Sequence, residues 1–193
     1  MINYINTYFE EIKTIIDSVD RASIESFMAS VQKIKDLDGR LFICGVGGSA
    51  ANASHAVNDF RKILGIEAYA PTDNVSELTA RINDESWEDS YMNWLKISKI
   101  KQKDAIMILS VGGGSEHTSK NLVKAMNYAK DIGATILSIV SRDGGYAKQV
   151  SDSCILIPVI HPDRITPHAE EWQGILWHMV VSAVAEMGTK NEN

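Results

Sequence analysis

The side chains in this chain that could move protons or bind a metal fall into two segments. In the first, His55 and Asp59 are four residues apart in a helical pattern, so they share one face of a helix. Imidazole and carboxylate groups together can serve as an acid–base pair or as metal ligands. The second segment, close to the C-terminus, holds a denser group of such side chains: His168, Glu170, Glu171, Gln173 and His178.

Each of these groups also has a purely structural interpretation. His55 and Asp59 could belong to an ordinary polar helix face, and His178, surrounded in sequence by apolar residues, could be a core histidine. If the two helices converge, they form either an acid–base pair or a metal site with nitrogen and oxygen ligands, drawn from His55, Asp59, Glu170 or Glu171, and His178. The sequence by itself does not bring the two helices together.

A glycine-rich loop precedes the helix that carries His55. The apolar run 41–44 predicts a buried strand, and a loop with three glycines follows it, ending at Ser49, before a helix begins near Ala50. The first turn of a helix presents unpaired N–H groups at its positive end, which suits a phosphate. The loop lacks the third glycine of a dinucleotide fingerprint and the lysine of a nucleoside-triphosphate loop. A phosphate site and a turn without a ligand both stay open.

A second loop rich in glycine and hydroxyl groups runs from Ser110 to Ser119 and follows the apolar run 104–110. It contains three consecutive glycines together with Ser115 and Thr118, and little cationic charge. Small hydroxyl and backbone N–H donors favour a phosphomonoester on a small polar molecule, whereas a triphosphate more often needs lysine and magnesium ligands.

Hydrophobic periodicity predicts the elements that position these loops. Two amphipathic helices, 2–18 and 21–36, come first, and strands then alternate with helices. This pattern predicts an α/β fold with a doubly wound, five-stranded parallel sheet in the order 2-1-3-4-5, which places both loops at the switch point. The predicted strands are 41–44, 66–70, 104–110, 134–140 and 153–158, with helices at about 50–63, after 119, after 145 and at about 168–187.

Length and composition indicate a single domain, 1–193, with N-terminal helices in 1–37 and the α/β core in 38–188. A net charge of −6 argues against a nucleic-acid partner. No apolar run reaches the roughly 18 residues of a membrane span, and the N-terminus lacks a signal-peptide core. Cys44 and Cys154 lie in apolar runs, which predicts buried free thiols in a reducing compartment, and the cytoplasm is the expected location.

Five motifs occur together along nearly the whole chain: Gly45-x-Gly-Gly-Ser-Ala-Ala-x-Ala-x-His55, Asn83-Asp84, Ser119-x-Asn-x-x-Lys-Ala125, Arg142-Asp143-Gly144-Gly145, and His178 in the last helix. As a set they resemble sugar isomerase (SIS) domains, and among these the phosphoheptose isomerase family. The first motif alone marks the wider SIS group.

The resemblance implies a homotetramer with active sites at subunit interfaces. It also implies aldose–ketose isomerisation of a sugar phosphate, sedoheptulose 7-phosphate to a heptose 7-phosphate, through an enediol. The family's catalytic Glu and His match Asp59 and His178. Family members often bind zinc, and the matching positions here are His55, Asp59, Glu170 and His178. Glu170 takes the place of a family Gln by its spacing of eight residues before His178.

The resemblance matches Ser49 and Ser119 to hydroxyls that hold the phosphate, and Asp84 to a residue near the sugar hydroxyls. The full set expected to bind the substrate is Gly47, Gly48, Ser49, Asn52, Asp84, Ser110, Ser115, Thr118 and Ser119. The chain departs from the family at Asp59, at Glu170 and in its longer second loop, which indicates a divergent member. These departures keep an alternative open, a non-catalytic SIS module that binds a phosphosugar or a protein partner.

Overall fold

A five-stranded, fully parallel sheet lies at the centre of the protein, whose computed structural model describes residues 1–190. The strand order β2-β1-β3-β4-β5 confirms the predicted α/β fold and the 2-1-3-4-5 order. The strands are β1 (Leu41–Gly45), β2 (Ala68–Tyr69), β3 (Ala105–Ser110), β4 (Thr135–Val140) and β5 (Ser153–Leu156). The predicted single domain, 1–193, stays a prediction, and its last three residues lie outside the described residues.

Two helices precede the sheet and six follow its first strand, within the part of the chain that the structure describes. The first two match the predicted bounds, with Asp20 capping the second through the N–H of Ala22. The helices are α1 (Ile2–Ser18), α2 (Arg21–Asp36), α3 (Gly48–Lys62), α4 (Val75–Asp84), α5 (Ser90–Ile97), α6 (Lys120–Ile132), α7 (Gly145–Val150) and α8 (Ile165–Lys190).

Several element boundaries differ from the prediction, and among the strands the largest difference is in β2, predicted as 66–70 and observed as Ala68–Tyr69. Helix α3 begins at Gly48 rather than near residue 50, and α8 begins at Ile165 rather than 168. Strand β5 ends at Leu156, two residues before the predicted end at Pro158, because proline has no N–H for the ladder. The early starts of both helices matter for function because they bring helix N-termini up to the switch point of the sheet.

The sheet separates two apolar cores. Alternate residues of each strand face opposite sides, so that Ile43 and Met107 enter the core beneath α2, α3 and α8, whereas Phe42 and Ile106 enter the core beneath α5, α6 and α7. Helices on both faces explain why the strands read as continuous apolar runs. Helix α8 packs closely on α3 and on α2, and this packing decides the geometry of the site.

Both cysteines are free thiols, as predicted. Cys44 is buried, and its burial raises the pKa of its thiol to about 12, so it stays protonated at neutral pH. Cys154 is half-buried, contrary to the prediction, because it lies on the edge strand β5. Among residues 1–190, every helix is too short or too polar to serve as a membrane span.

Candidate active site

The two predicted loops meet above the carboxyl ends of β1 and β3 and line one cavity of about 510 Å³. Five of the predicted substrate-binding residues line this cavity: Ser49, Ser110, Ser115, Thr118 and Ser119. The loop after β4 completes the wall with Arg142 and Asp143, and α8 adds Thr166. The cavity therefore lies at the switch point of the sheet, where ligands bind in folds of this kind.

The glycines of the second loop serve a contact between loops. A Cβ at Gly113 would lie 1.9 Å from the carbonyl oxygen of Gly144, in the loop after β4. The backbone N–H groups of Tyr146 and Ala147 donate to the carbonyls of Gly114 and Gly113, each at 2.9 Å. The Gly-rich sequence thus joins two loops into one wall, a role that differs from the predicted one of donating backbone N–H groups to a ligand.

Three serine hydroxyls in the cavity have their oxygens engaged as acceptors. Ser110 Oγ accepts from the N–H of Gly113 at 3.0 Å, and Ser115 Oγ accepts from the N–H groups of His117 and Thr118 at 3.2 and 3.1 Å. Ser49 Oγ accepts from the side-chain amide of a glutamine at 3.1 Å. Their hydroxyl protons have no acceptor among the described residues, so each remains available to donate to a ligand.

Arg142 is the one cation among the described residues that line this cavity. Its backbone has a φ of 56°, in the left-handed region that a non-glycine residue seldom occupies. Its guanidinium forms no ion pair with any residue that the structure describes, and its stem lies 3.8 Å from the position of a Cβ at Gly112. Backbone strain of this kind is often concentrated at ligand sites.

Helices α3 and α8 converge and bring together three predicted residues, here called the open cluster: His55, Asp59 and His178. The Nε2 atoms of His55 and His178 lie 3.7 and 3.2 Å from Asp59 Oδ2. The histidine side chains are 56% and 52% exposed, whereas the Asp59 side chain is 10% exposed. The sequence left open whether the two helices converge, and in the structure they do so at these three residues.

The orientation of His178 follows from a backbone contact. Its Nδ1 lies 2.7 Å from the carbonyl oxygen of Gly174, and since a carbonyl only accepts, Nδ1 carries the proton. In the neutral ring, Nε2 then directs a lone pair at the carboxylate of Asp59. Two acceptors then face each other at 3.2 Å, an arrangement that a bound cation would suit.

A second group of titratable side chains, here called the buried cluster, consists of Glu11, Arg164 and His168. Glu11 Oε2 accepts from Arg164 Nε at 2.7 Å and lies 2.9 Å from His168 Nε2. The guanidinium of Arg164 lowers the pKa of Glu11 to about 2, with a smaller contribution from His168 against the opposing effect of burial. Beside it, burial and the neighbouring Glu171 raise the pKa of Tyr8 to about 12.

The comparisons with known proteins agree with this architecture. The sequence profile of the family described as SIS domain matches residues 7–141. The chain belongs to the SIS domain family.

Among its relatives, this SIS domain is similar to phosphoheptose isomerases. It is 31% identical over 184 residues to that of Clostridium acetobutylicum, covering 92% of this chain and 82% of that protein. It is 28% identical over 180 residues to that of Helicobacter pylori, covering 91% and 88%. A solved phosphoheptose isomerase from Neisseria gonorrhoeae has the same fold, with a TM-score of 0.83 at 22% identity over 95% of this chain and 98% of that chain. These identities are modest, as expected of a divergent member.

The acidic residues of α8 lie outside the open cluster of this SIS domain. Glu170 is eight residues from His178, about 12 Å along the helix axis, and its carboxylate lies over the start of α3. A Cβ at Gly48 would lie 2.3 Å from Glu170 Oε2, which shows how closely this carboxylate approaches the first turn of α3. Glu171 accepts a hydrogen bond from Tyr8 at 2.5 Å, and His168 belongs to the buried cluster. Within the described chain, the fourth predicted metal ligand is therefore apart from the other three.

Four predicted substrate-binding residues of this SIS domain lie outside the lining of the cavity: Gly47, Gly48, Asn52 and Asp84. Asp84 is exposed at the end of α4, where it accepts from Asn83 Nδ2 at 2.6 Å. Asn52 faces α8, because its side-chain amide donates to the carbonyl of Glu170 and to Gln173 Oε1, both at 2.9 Å. Asn52 therefore holds α3 against α8.

Sequence reasoning missed several residues that the fold brings to the site. Gln173 is fully buried, and the indole N–H of Trp177 donates to Asp59 Oδ2 at 3.3 Å. Thr166 and Arg142 line the cavity. The Arg-Asp-Gly-Gly motif could have pointed to Arg142 as a site residue. Gln173 stands among the polar residues of the last helix, but the sequence gives it no role. No sequence pattern indicates a role for Trp177 at the site, because a tryptophan in an apolar helix most often belongs to a core.

Proposed function

We propose that this protein is an aldose–ketose isomerase of a sugar phosphate, and that it interconverts sedoheptulose 7-phosphate with a heptose 7-phosphate. The observation that carries the proposal is that one helix, α3, has a hydroxyl-lined cavity at its first turn and the open cluster farther along. Relatives named phosphoheptose isomerase support the reaction class. We take Asp59 and His178 as the catalytic residues.

The cavity suits a phosphate because its hydroxyls have protons to donate and Arg142 forms no ion pair among the described residues, although the Asp143 carboxylate also lines the wall. Ser49, Ser110 and Ser115 have hydroxyl protons left for an acceptor, and Arg142 adds a charged donor. Thr118 and Ser119 add further hydroxyls to the lining. An ionised phosphate presents only acceptors, so it matches such a lining.

The spacing along α3 suits a long, open-chain substrate. Ser49 lies six residues before His55 and ten before Asp59, about 9 and 15 Å along the helix axis. A sugar phosphate that places its phosphate at Ser49 must extend several carbons to bring its carbonyl end to the open cluster. A heptulose phosphate has this extended form, whereas a triose phosphate is too short.

In the proposed reaction, the carboxylate of Asp59 removes the proton from C1 of the ketose while the carbonyl oxygen at C2 gains a proton, giving an enediol. The same carboxyl then returns its proton to C2 while the oxygen at C1 loses one, giving the aldose. We assign the proton transfers at the two oxygens to Nε2 of His178, because it lies 3.2 Å from Asp59 Oδ2. Trp177 and Asn58 hold the carboxylate through their N–H groups.

The open cluster also fits a zinc ion. Two imidazole nitrogens and one carboxylate oxygen, all within 4.8 Å of one another, match the ligand types of a catalytic zinc site with an open position. In a metal-bound form, His55, Asp59 and His178 would hold the ion, which would polarise the substrate carbonyl in place of proton transfer by Nε2 of His178. Such an ion would also supply positive charge to the facing acceptors of Asp59 and His178. Glu170 joins such a site only through a different arrangement of α8.

We further propose that the protein is a homotetramer, with further copies covering the apolar side chains exposed along α1 and beside His178. Ile5 and Phe9 of α1 are 51% and 57% exposed, and Ile175 and Met179 flank His178 on the surface. Contiguous exposed apolar residues mark interfaces more often than isolated ones do. Sedimentation equilibrium gives the mass of the assembly, and a monomeric mass at micromolar concentration contradicts this part of the proposal.

Incubation with sedoheptulose 7-phosphate in deuterated water tests the function. An enediol protonated at C2 from a carboxyl that exchanges with solvent yields an aldose with deuterium at C2, detected by mass spectrometry. The reaction is run with added zinc and with a chelator. No aldose and no deuterium under either condition would reject the isomerase, and phosphosugar binding without turnover would favour the non-catalytic SIS module instead.

A further inference from the structure

The buried side chain of Gln173 connects the last helix to the first turn of α3. Its surface is fully excluded from solvent, and its Nε2 lies 3.1 Å from Ser49 Oγ. Its Oε1 accepts from Asn52 Nδ2 at 2.9 Å. A buried amide with both ends bonded has a single orientation, since a flip would place donor against donor.

The direction of these bonds is set by a backbone carbonyl. Asn52 Nδ2 also donates to the carbonyl oxygen of Glu170 at 2.9 Å, and a carbonyl can only accept. Asn52 therefore presents its NH₂ group to α8, and Gln173 presents Oε1 to Asn52. The NH₂ group of Gln173 then faces Ser49, so that the oxygen of this hydroxyl is the acceptor. Each bond fixes the direction of the next.

The last group in this series of hydrogen bonds, the Ser49 hydroxyl, lies in the cavity. Ser49 Oγ lines the cavity wall, and with one lone pair engaged by Gln173 its proton is free to point toward the cavity. If Gln173 offered an acceptor instead, the hydroxyl would donate to it and would turn a lone pair toward the ligand. A lone pair repels an anion, whereas an O–H donates to it.

We propose that Gln173 is a positioning residue that fixes the Ser49 hydroxyl as a donor to the phosphate group of the ligand. The inference rests on the proposed phosphate-binding function and deepens it. Gln173 does not line the cavity and acts only through Ser49. Because Gln173 is five residues before His178 on α8, the same helix carries this support of the phosphate end and a residue of the open cluster.

A double-mutant cycle on phosphate affinity tests this role. Inorganic phosphate is titrated calorimetrically into the wild type, Ser49→Ala, Gln173→Met and the double variant. Methionine has nearly the length of glutamine but no N–H. We expect about a tenfold weaker Kd for Ser49→Ala and a loss of about threefold to tenfold for Gln173→Met. The double variant should bind no more weakly than Ser49→Ala alone, because the second substitution acts only through the missing hydroxyl.

The charged variant Gln173→Glu provides a second measurement and covers the case in which Gln173→Met does not fold. It keeps the acceptor for Asn52 but reverses the bond to Ser49, so it should weaken phosphate binding more than Gln173→Met does. With sedoheptulose 7-phosphate as substrate, all three single variants should raise KM and leave kcat within about threefold, the pattern of lost uniform binding. A merely structural role would lower both values or the folded fraction instead.

Two outcomes separate this inference from the proposed function. The role of Gln173 is overturned, and the isomerase stands, if the wild type isomerises sedoheptulose 7-phosphate while Gln173→Met and Gln173→Glu bind phosphate as tightly as the wild type. The same conclusion follows from an active wild type if the losses of phosphate affinity from Ser49→Ala and Gln173→Met add in the double variant. If the wild type does not isomerise the sugar but the phosphate cycle is non-additive, the isomerase is overturned and the role of Gln173 stands.

Discussion

Helix α8 carries one member of the open cluster, His178, and one member of the buried cluster, His168, and these clusters use the same residue types differently. In the buried cluster, His168 and Glu11 are 3% and 9% exposed, and Arg164 supplies the charge that balances the carboxylate. In the open cluster, the carboxylate of Asp59 faces two imidazoles and pairs with no lysine or arginine of the described residues. Charges balanced within the chain stabilise the fold, whereas a carboxylate left to be balanced from outside is available for a ligand.

The largest effect that this contrast predicts is on turnover. Asp59→Asn keeps the shape of the side chain but removes the base, so turnover of sedoheptulose 7-phosphate should fall by about 10³-fold or more. Affinity for inorganic phosphate should stay within about twofold of the wild type, because Asp59 does not line the cavity. Steady-state kinetics and calorimetry measure the two quantities, and retention of a tenth of the wild-type turnover would remove Asp59 from the chemistry.

The next effect is on stability and belongs to the buried cluster. Glu11→Gln leaves the Arg164 cation without its carboxylate, so the free energy of unfolding should fall by about 3 kcal/mol in urea titrations. The matched control is Glu10→Gln, which removes an exposed pair with Lys13 and should cost less than about 1 kcal/mol. Equal losses in both variants would show that burial does not distinguish Glu11 from its neighbour.

Arg142 predicts a smaller effect confined to binding. Arg142→Met keeps the aliphatic stem and removes the only cation among the described lining residues, so affinity for inorganic phosphate should weaken about tenfold. Lys148→Met, an exposed cation of α7 that does not line the cavity, controls for the change in net charge. Fluorescence or calorimetric titration at fixed ionic strength compares the two variants. Equal losses of phosphate affinity in both would assign the effect to the overall electrostatic field of the protein.

The smallest predicted effect is a dependence of stability on acid. The pKa of Glu11 is lowered from 4.5 to about 2 in the folded chain, so its contribution to stability is complete above about pH 4.5 and is lost as the pH falls toward 2. We expect the wild type to lose about 1–2 kcal/mol more than Glu11→Gln over this interval, after allowance for solvent screening. Urea unfolding midpoints of both proteins, measured at several pH values, check this difference. If both proteins lost stability equally as the pH falls, the lowered pKa of Glu11 would be contradicted.

Local patterns were enough to predict the sheet, its order and the meeting of the two loops. The apolar runs at 41–44 and 104–110 predict buried strands, as observed. Connections between parallel strands follow rules of handedness that allow few topologies. The i, i+4 spacing of His55 and Asp59 likewise predicted a shared face, which the structure confirms.

The contacts between α3 and α8 could not be predicted in the same way. Trp177 and Asp59 are separated by 118 residues in sequence, and nothing local tells an indole which carboxylate it meets. The family resemblance implied Glu170 as a metal ligand, but its carboxylate lies beside Gly48 at the start of α3. Side-chain partners across helices depend on packing geometry, which periodicity does not specify.

The edges of the sheet limit how copies of this chain can associate. Edge strand β2 contains two residues, and edge strand β5 contains four and is followed closely by Pro158. So few unpaired backbone groups give an additional strand little to hydrogen-bond, which protects a largely apolar sheet from growing into a continuous ladder. Fibrillar aggregation by strand addition is thereby disfavoured even when the chain is concentrated.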